Sequence, residues 1–136
     1  MFETFDHTAD IGLRVSAATL EELFVDAARG LTSLLVENFD DVRPALTETI
    51  RLIGTEVDYL LFDWLNELLF RFETSQLLCR EFDVRLSDQG LEATIRGESS
   101  DPARHRLAHE VKAITYHGLS VQQTENGWQT ELILDI

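Results

Sequence analysis

The chain has 136 residues, and its 25 Asp and Glu residues against 11 Lys and Arg give a formal net charge of −14 at pH 7. This length fits a single domain that spans residues 1–136. Affinity for DNA or RNA depends on Lys and Arg side chains that displace counterions from phosphates, so direct nucleic-acid binding is not expected. The negative charge instead favours a basic protein partner, divalent cations or simple solubility.

The cysteine content and the N-terminus point to a cytoplasmic protein. Cys79 is the single cysteine, which excludes an internal disulfide and is typical of a reducing compartment. Residues 1–6 lack the basic and apolar regions of a signal peptide. No apolar run approaches the roughly 18 residues that a membrane span needs.

The predicted elements begin with a strand in which Ile11, Leu13 and Val15 share one face. A helix follows, and Thr19 with Glu22 forms a capping box at its start. The apolar residues of this helix recur at helical spacing: Leu20, Leu23, Phe24, Ala27, Ala28, Leu31, Leu34 and Leu35. The alternating residues Leu46, Glu48, Ile50 and Leu52 then predict a second strand, in which Glu48 blurs the pattern.

A second helix is predicted after Thr55, its expected N-cap. Its apolar stripe consists of Val57, Leu60, Leu61, Trp64, Leu65, Leu68, Leu69 and Phe72. Tyr59, Phe62 and Phe70 widen this stripe, which predicts burial on more than one side.

The remaining segments alternate as strands. One hairpin is predicted to turn at residues 87–90, and a second pair covers residues 113–123 and 128–136, with Asn126-Gly127 as its two-residue turn. Residues 101–110 fit either a short helix or an ordered loop. The order predicts an α+β fold of two layers, in which a mixed, mostly antiparallel sheet packs against two main amphipathic helices.

His105 and His109 have the spacing of metal ligands on one helical face, and Glu110 follows the second. Zinc proteases with this spacing carry Glu directly after the first His, where this chain has Arg106. Solvated or locally hydrogen-bonded histidines are therefore favoured, and a metal-dependent hydrolase built on His105 and His109 is an alternative.

Other signs of catalysis are weak. No nucleophile motif or Gly-rich phosphate loop is present, and Cys79 fits a buried structural thiol. Asp63 and Glu67 lie four residues apart, a spacing that suits acid–base chemistry but is more typical of a solvated polar face.

Two acidic positions suit a hard cation. Asp10 precedes the first predicted strand, and Asp135 adjoins the α-carboxylate of Ile136 at the chain end. These groups are anionic at pH 7 and are oxygen ligands of the kind that calcium prefers. Spacing alone still favours an ordinary exposed terminus.

Four segments give the chain a family resemblance: residues 6–11 (DHTADI), 64–69 (WLNELL), 110–117 (EVKAITYH) and 133–136 (ILDI). Together they resemble the archease family, because the four segments occur in the same order as in that family and extend across the whole chain. The resemblance implies an accessory protein, not an enzyme, that activates the RNA ligase RtcB in tRNA splicing and RNA repair by promoting its guanylylation and multiple turnover. A chaperone-like modulator of a tRNA methyltransferase is the alternative.

The resemblance also implies a site for a divalent metal ion at Asp10, Asp135 and Ile136. Calcium is the expected ion, with magnesium or manganese as alternatives. Further candidates for the partner-binding surface are Lys112, His117, His7, Asp6 and Glu67. Any functional carboxylate expected after the first helix cannot be assigned to one position within residues 37–41.

Two of these candidates have alternative roles. Lys112 suits contact with the ligase or with a phosphate, and equally a salt bridge to the acidic cluster. His7 suits the partner surface, or a structural role in orienting the segment before Asp10.

Overall fold

The computed structural model describes residues 1–7 and 10–136, without the side chain of His7. The helices are α1 (Leu20–Leu35) and α2 (Val57–Ser75), and a short 3₁₀ turn covers Phe39–Asp41. The strands are β1 (Phe2–His7), β2 (Asp10–Ala17), β3 (Leu46–Ile53), β4 (Leu77–Ser87), β5 (Gly90–Ser99), β6 (Ala113–Thr115), β7 (Gln122–Thr124) and β8 (Gly127–Asp135).

The strands form two antiparallel sheets. The larger has the order β1-β2-β8-β6, with β7 also paired to β8, and the smaller has the order β3-β5-β4. The α+β class is confirmed, but the strands divide between two sheets because β8 returns to β2 while the β4–β5 hairpin pairs with β3. This return brings the end of the chain to its beginning.

Helix α1 joins the two sheets. The Thr19 Oγ1 accepts a hydrogen bond from the Glu22 backbone N–H at 3.2 Å, which confirms the predicted N-cap. The apolar face of α1 is buried against β2 of the larger sheet and β4 of the smaller one. Both sheets therefore contribute to one continuous core.

Helix α2 is anchored by Trp64. This side chain is fully buried, and its Nε1–H donates to the Phe24 carbonyl of α1 at 3.0 Å. The N-cap of this helix is Glu56, one residue after the predicted N-cap, Thr55. Tyr59 and Phe70 are 55% and 56% exposed, so the prediction of burial on more than one side is wrong for that stripe.

The C-terminal half differs locally from the predicted pattern. The strand expected over residues 113–123 is interrupted between β6 and β7, where Gly118 adopts a φ of 75°. The turn of the last hairpin lies at Glu125-Asn126, one residue earlier than predicted, because Gly127 already pairs with Thr124. Residues 101–110 form a loop, in which the Asp101 carboxylate accepts from the Ala103 N–H at 2.9 Å.

Neither α1 nor α2 is long and apolar enough to cross a membrane.

The close approach of β4 to Gly97 of β5 provides a test of stability. A Cβ at Gly97 would lie 1.9 Å from the Leu78 carbonyl oxygen, next to the irregular pairing at Cys79. Gly97→Ala should therefore lower the free energy of unfolding by about 1–3 kcal/mol, measured by urea denaturation. Gly54→Ala is the matched control, since a Cβ added at Gly54 would lie 3.6 Å from its nearest neighbour, the Leu60 side chain. Equal effects of the two substitutions would contradict this packing.

Candidate functional site

The pairing of β2 with β8 brings two of the predicted metal ligands, Asp10 and Asp135, together. Asp10 lies directly opposite Asp135 in this antiparallel pair. Directly opposite residues share a face of the sheet, with Cβ atoms about 5 Å apart. The two carboxylates, 125 positions apart in the sequence, therefore project on the same side.

This side is the outer face of the larger sheet. Leu13 and Leu132 alternate with the carboxylate pair and are buried in the core. Asp10 is half-buried and Asp135 is exposed. Ile136 is half-buried and packs against the core. The chain terminus is therefore held at the edge of the carboxylate pair.

The short strand β6 lies on the other side of Asp135. Ala113 is opposite Asp135, and the Lys112 N–H donates to the Asp135 carbonyl at 2.7 Å. The Lys112 side chain is exposed and makes no ion pair with any residue in the described part of the chain. The salt bridge to the acidic cluster is thus not observed there, and the exposed Lys112 is held beside Asp135 by its backbone alone.

Asp6 and His7 flank the pair on β1. Asp6 is opposite Ile11, so it lies on the face of the sheet opposite to Asp10. There it lines a small cavity with Leu34 and His109. His7 is the register partner of Asp10, but its side chain, like residues 8 and 9, lies outside the described residues.

Two other candidates lie elsewhere. Glu67 accepts from Arg71 at 3.0 Å, and Arg71 also pairs with Glu48, so Glu67 belongs to an ion-pair network between α2 and β3. His117 is exposed in the loop after β6, beside Tyr116, which stacks on Tyr59.

The donor set of the carboxylate pair suits a hard cation. Two Asp side chains and a terminal carboxylate supply only oxygen ligands, the kind that calcium and magnesium take. No group of three His, Cys, Asp or Glu side chains that could hold a metal occurs within the described residues. Besides the two aspartates, a metal site at this face would need a further ligand, for which the Ile136 carboxylate is the prediction.

The same face also carries a row of charged residues that the sequence patterns do not predict. Arg14 donates to Glu131 at 2.8 Å and to Glu3 at 2.9 Å, which lie opposite it on β8 and β1. These hydrogen bonds with Glu131 and Glu3 raise the pKa of Arg14. Because the three residues are far apart in sequence, only the register reveals the row.

The comparisons with known proteins agree with this architecture. The model of the archease protein family (MTH1598/TM1083) matches residues 2–136. The chain belongs to the archease family.

Relatives cover the chain almost completely. It is 37% identical to the archease of Methanopyrus kandleri, over 99% of each chain, and 35% identical to that of Pyrococcus abyssi, over 99% and 98%. The solution structure of Methanobacterium thermoautotrophicum protein 1598 matches with a TM-score of 0.83 and 31% identity, over 99% and 98% of the chains. An archease of Thermotoga maritima, described as a possible chaperone, shares the fold, with a TM-score of 0.70 at 20% identity over 100% and 98%.

The environment of His105 argues against a zinc hydrolase. His105 is buried, its Nδ1 accepts from the Asp101 N–H at 2.9 Å, and its Nε2 lies 3.1 Å from the Glu98 Oε2. His109 is exposed in the same loop. Since both ring nitrogens of His105 already have protein partners, His105 is a structural histidine.

Glu98, which is half-buried, is the centre of this polar cluster. It accepts from Arg104 at 2.6 and 2.7 Å and from the Arg43 backbone N–H at 2.6 Å. Burial tends to raise the pKa of Glu98, but the Arg43 N–H, His105 and Arg104 together outweigh burial and lower it. The cluster therefore holds the loop of residues 101–105 on β5 through a carboxylate kept ionised.

Cys79 is buried, as predicted for a structural thiol. Burial raises its pKa to about 12, with a smaller contribution from Glu48. The thiol is thus protonated at neutral pH and is a poor nucleophile.

The Glu98 cluster predicts a pH-dependent stability. Because the folded-state pKa of Glu98 is lowered, its carboxylate stabilises the fold above the unfolded-state pKa of about 4.3. That contribution disappears as the pH falls through the folded-state value. Wild type should therefore exceed Glu98→Gln in free energy of unfolding at pH 7, and the difference should shrink below about pH 4.

Urea denaturation of both proteins at pH 7, 5 and 3 measures this difference. Glu125→Gln, in the exposed turn before β8, is the control for loss of one carboxylate. A difference between wild type and Glu98→Gln that stays constant with pH would exclude the ionised carboxylate as its source.

Proposed function

We propose that this archease family member is an accessory protein of the cytoplasmic RNA ligase RtcB, and not itself an enzyme. It promotes guanylylation of the ligase and its multiple turnover in tRNA splicing and RNA repair. Membership of the archease family supports this role at the level of the family. The observation that carries it is the register of β2 and β8, which sets Asp10 opposite Asp135 beside the chain terminus.

The carboxylate pair and the Ile136 carboxylate would hold a divalent cation. Anionic oxygens on one face repel each other, and a cation among them removes that repulsion. Calcium fits this all-oxygen donor set, as do magnesium and manganese. The ion would supply positive charge where the accessory protein meets the ligase, and the residues of this chain would fix its position.

The surface around the pair suits docking on a protein. A net charge of −14 favours a basic partner surface and steers it toward the acidic face. Lys112 is exposed at the edge of this face, where its ammonium is free of ion pairs with described residues. It is the candidate for a contact with an acidic side chain or a bound phosphate of the ligase.

A second candidate is a chaperone-like modulator of a tRNA methyltransferase. The description of the Thermotoga maritima archease as a possible chaperone supports this second role. A pull-down from lysate separates the two roles, because recovery of the methyltransferase without the ligase would favour the second.

Asp10→Asn tests the metal face. It removes one anionic ligand while keeping shape, so the calcium affinity should fall about tenfold or more, and stimulation of RtcB guanylylation should fall with it. Calorimetry measures the first and a single-turnover guanylylation assay the second. Asp88→Asn, in the exposed β4–β5 turn, is the matched control. Full stimulation by Asp10→Asn would remove the metal face from the mechanism.

A C-terminal extension tests the third ligand. Adding residues after Ile136 converts its carboxylate into an amide, which deletes one negative charge from the site. The calcium affinity of the extended protein should be about tenfold weaker than that of a protein with the same residues added at the N-terminus. Equal affinities in calorimetry would show that the terminal carboxylate is not a ligand.

A further inference from the structure

Away from the carboxylate pair, the structure contains an arginine-lined cleft of about 1000 Å³. It shares no residue with the carboxylate face on β2 and β8. Its walls come from α1, the 3₁₀ turn and the segment after it, β4, β5 and the loop of residues 101–105. The five arginines that line it are Arg29, Arg43, Arg80, Arg96 and Arg104.

This cleft departs from the charge of the rest of the molecule. It collects five of the eleven cationic residues of the chain, together with Asp40, Asp41, Glu81 and Asp83. Outside the cleft, the chain has the remaining six cationic residues and the remaining 21 of its 25 acidic residues. The lining of the cleft therefore carries a small excess of positive charge, five arginines against four carboxylates, on a strongly negative protein.

Three of the arginines have protein partners. Arg104 binds Glu98, Arg29 lies 3.1 Å from Asp26, and Arg80 lies 3.7 Å from Asp40. Arg43 and Arg96 make no ion pair with any residue that the structure describes. Two guanidinium groups in one cavity therefore keep their donors for an external anion.

The backbone places these groups firmly. Arg96 lies on β5, the central strand of its sheet. The Arg43 N–H is bound by Glu98, and Arg80 lies over the Phe39 ring with 4.8 Å to its centroid. The backbones of Arg43 and Arg96 are thus fixed beside the cleft, and the planar fork of a guanidinium group matches the oxygens of a phosphoryl group.

The acidic side chains in the lining limit the kind of anion. Asp40 is near Arg80, and Asp41 accepts from the Asn38 amide at 3.1 Å, so each already has a polar partner. Glu81 lies opposite Arg96 on the neighbouring strand. A nucleic acid would extend beyond the cleft onto the acidic surface, where each further phosphate is repelled. A compact anion has its charge confined to the arginines.

We propose that the cleft binds a compact, multiply charged phosphoryl anion, through Arg43 and Arg96 as its direct ligands. This site and the carboxylate face have no residue in common, so either one stands without the other.

Titration of the protein with inorganic pyrophosphate, followed by calorimetry at low ionic strength, tests the proposal. Saturable one-site binding is expected, and it should weaken about tenfold in Arg43→Ala and in Arg96→Ala, because each removes charge-assisted hydrogen bonds. Arg85→Ala is the matched control: it removes the same charge from an exposed position on β4 outside the cleft, and should bind like wild type.

Thermal unfolding of each variant checks its fold, and the two single variants test the site independently. Absence of saturable pyrophosphate binding to wild type would overturn the proposal, as would equal weakening in all three variants. A single-stranded RNA decamer that binds more tightly than pyrophosphate, and depends on Arg43 and Arg96, would also overturn it in favour of a nucleic-acid surface.

Discussion

The antiparallel pairing of β2 with β8 is the interaction on which the rest of the molecule depends. It joins residues 10–17 to residues 128–135, so the two ends of the chain form the middle of the larger sheet. The buried side of this pair supplies Leu13, Val15 and Leu132 to the core beneath α1. The outer side carries the carboxylate pair. The same strand register therefore stabilises the fold and assembles the candidate site, and a shift of β8 by one residue against β2 would turn Asp135 inward while Asp10 stayed on the outer face.

The charge of the protein is divided between two surfaces. The carboxylate face concentrates negative charge where Asp10, Asp135 and the terminus meet, in line with the net charge of −14. The arginine-lined cleft, built mainly on the smaller sheet, gathers nearly half of the cationic residues. Helix α1 packs between the two sheets and links these surfaces through the core.

Local sequence patterns predicted those parts of the fold that local physics determines. The helical period gave both helices, and Thr19 capped α1 as expected because its hydroxyl needs only the N–H three residues away. The division into two sheets, the strand β1 and the exposed aromatic stripe of α2 could not be predicted, since they depend on which distant segment covers each face. The meeting of Asp10 with Asp135 was suggested by the family resemblance alone. The arginines of the cleft carried no sequence signal, because they come from five separate segments that only the tertiary fold brings together.

Paramagnetic relaxation by Mn²⁺ tests the assembled carboxylate site most directly. In an NMR spectrum of the assigned protein, substoichiometric Mn²⁺ should broaden the amide signals at the start of β2 and at the end of β8 together. The signals of β4 and of the residues that line the arginine cleft should keep their intensities. Broadening of only one of the two strands, or strongest broadening near another acidic segment such as residues 40–41, would show that the paired aspartates and the chain end do not share a cation.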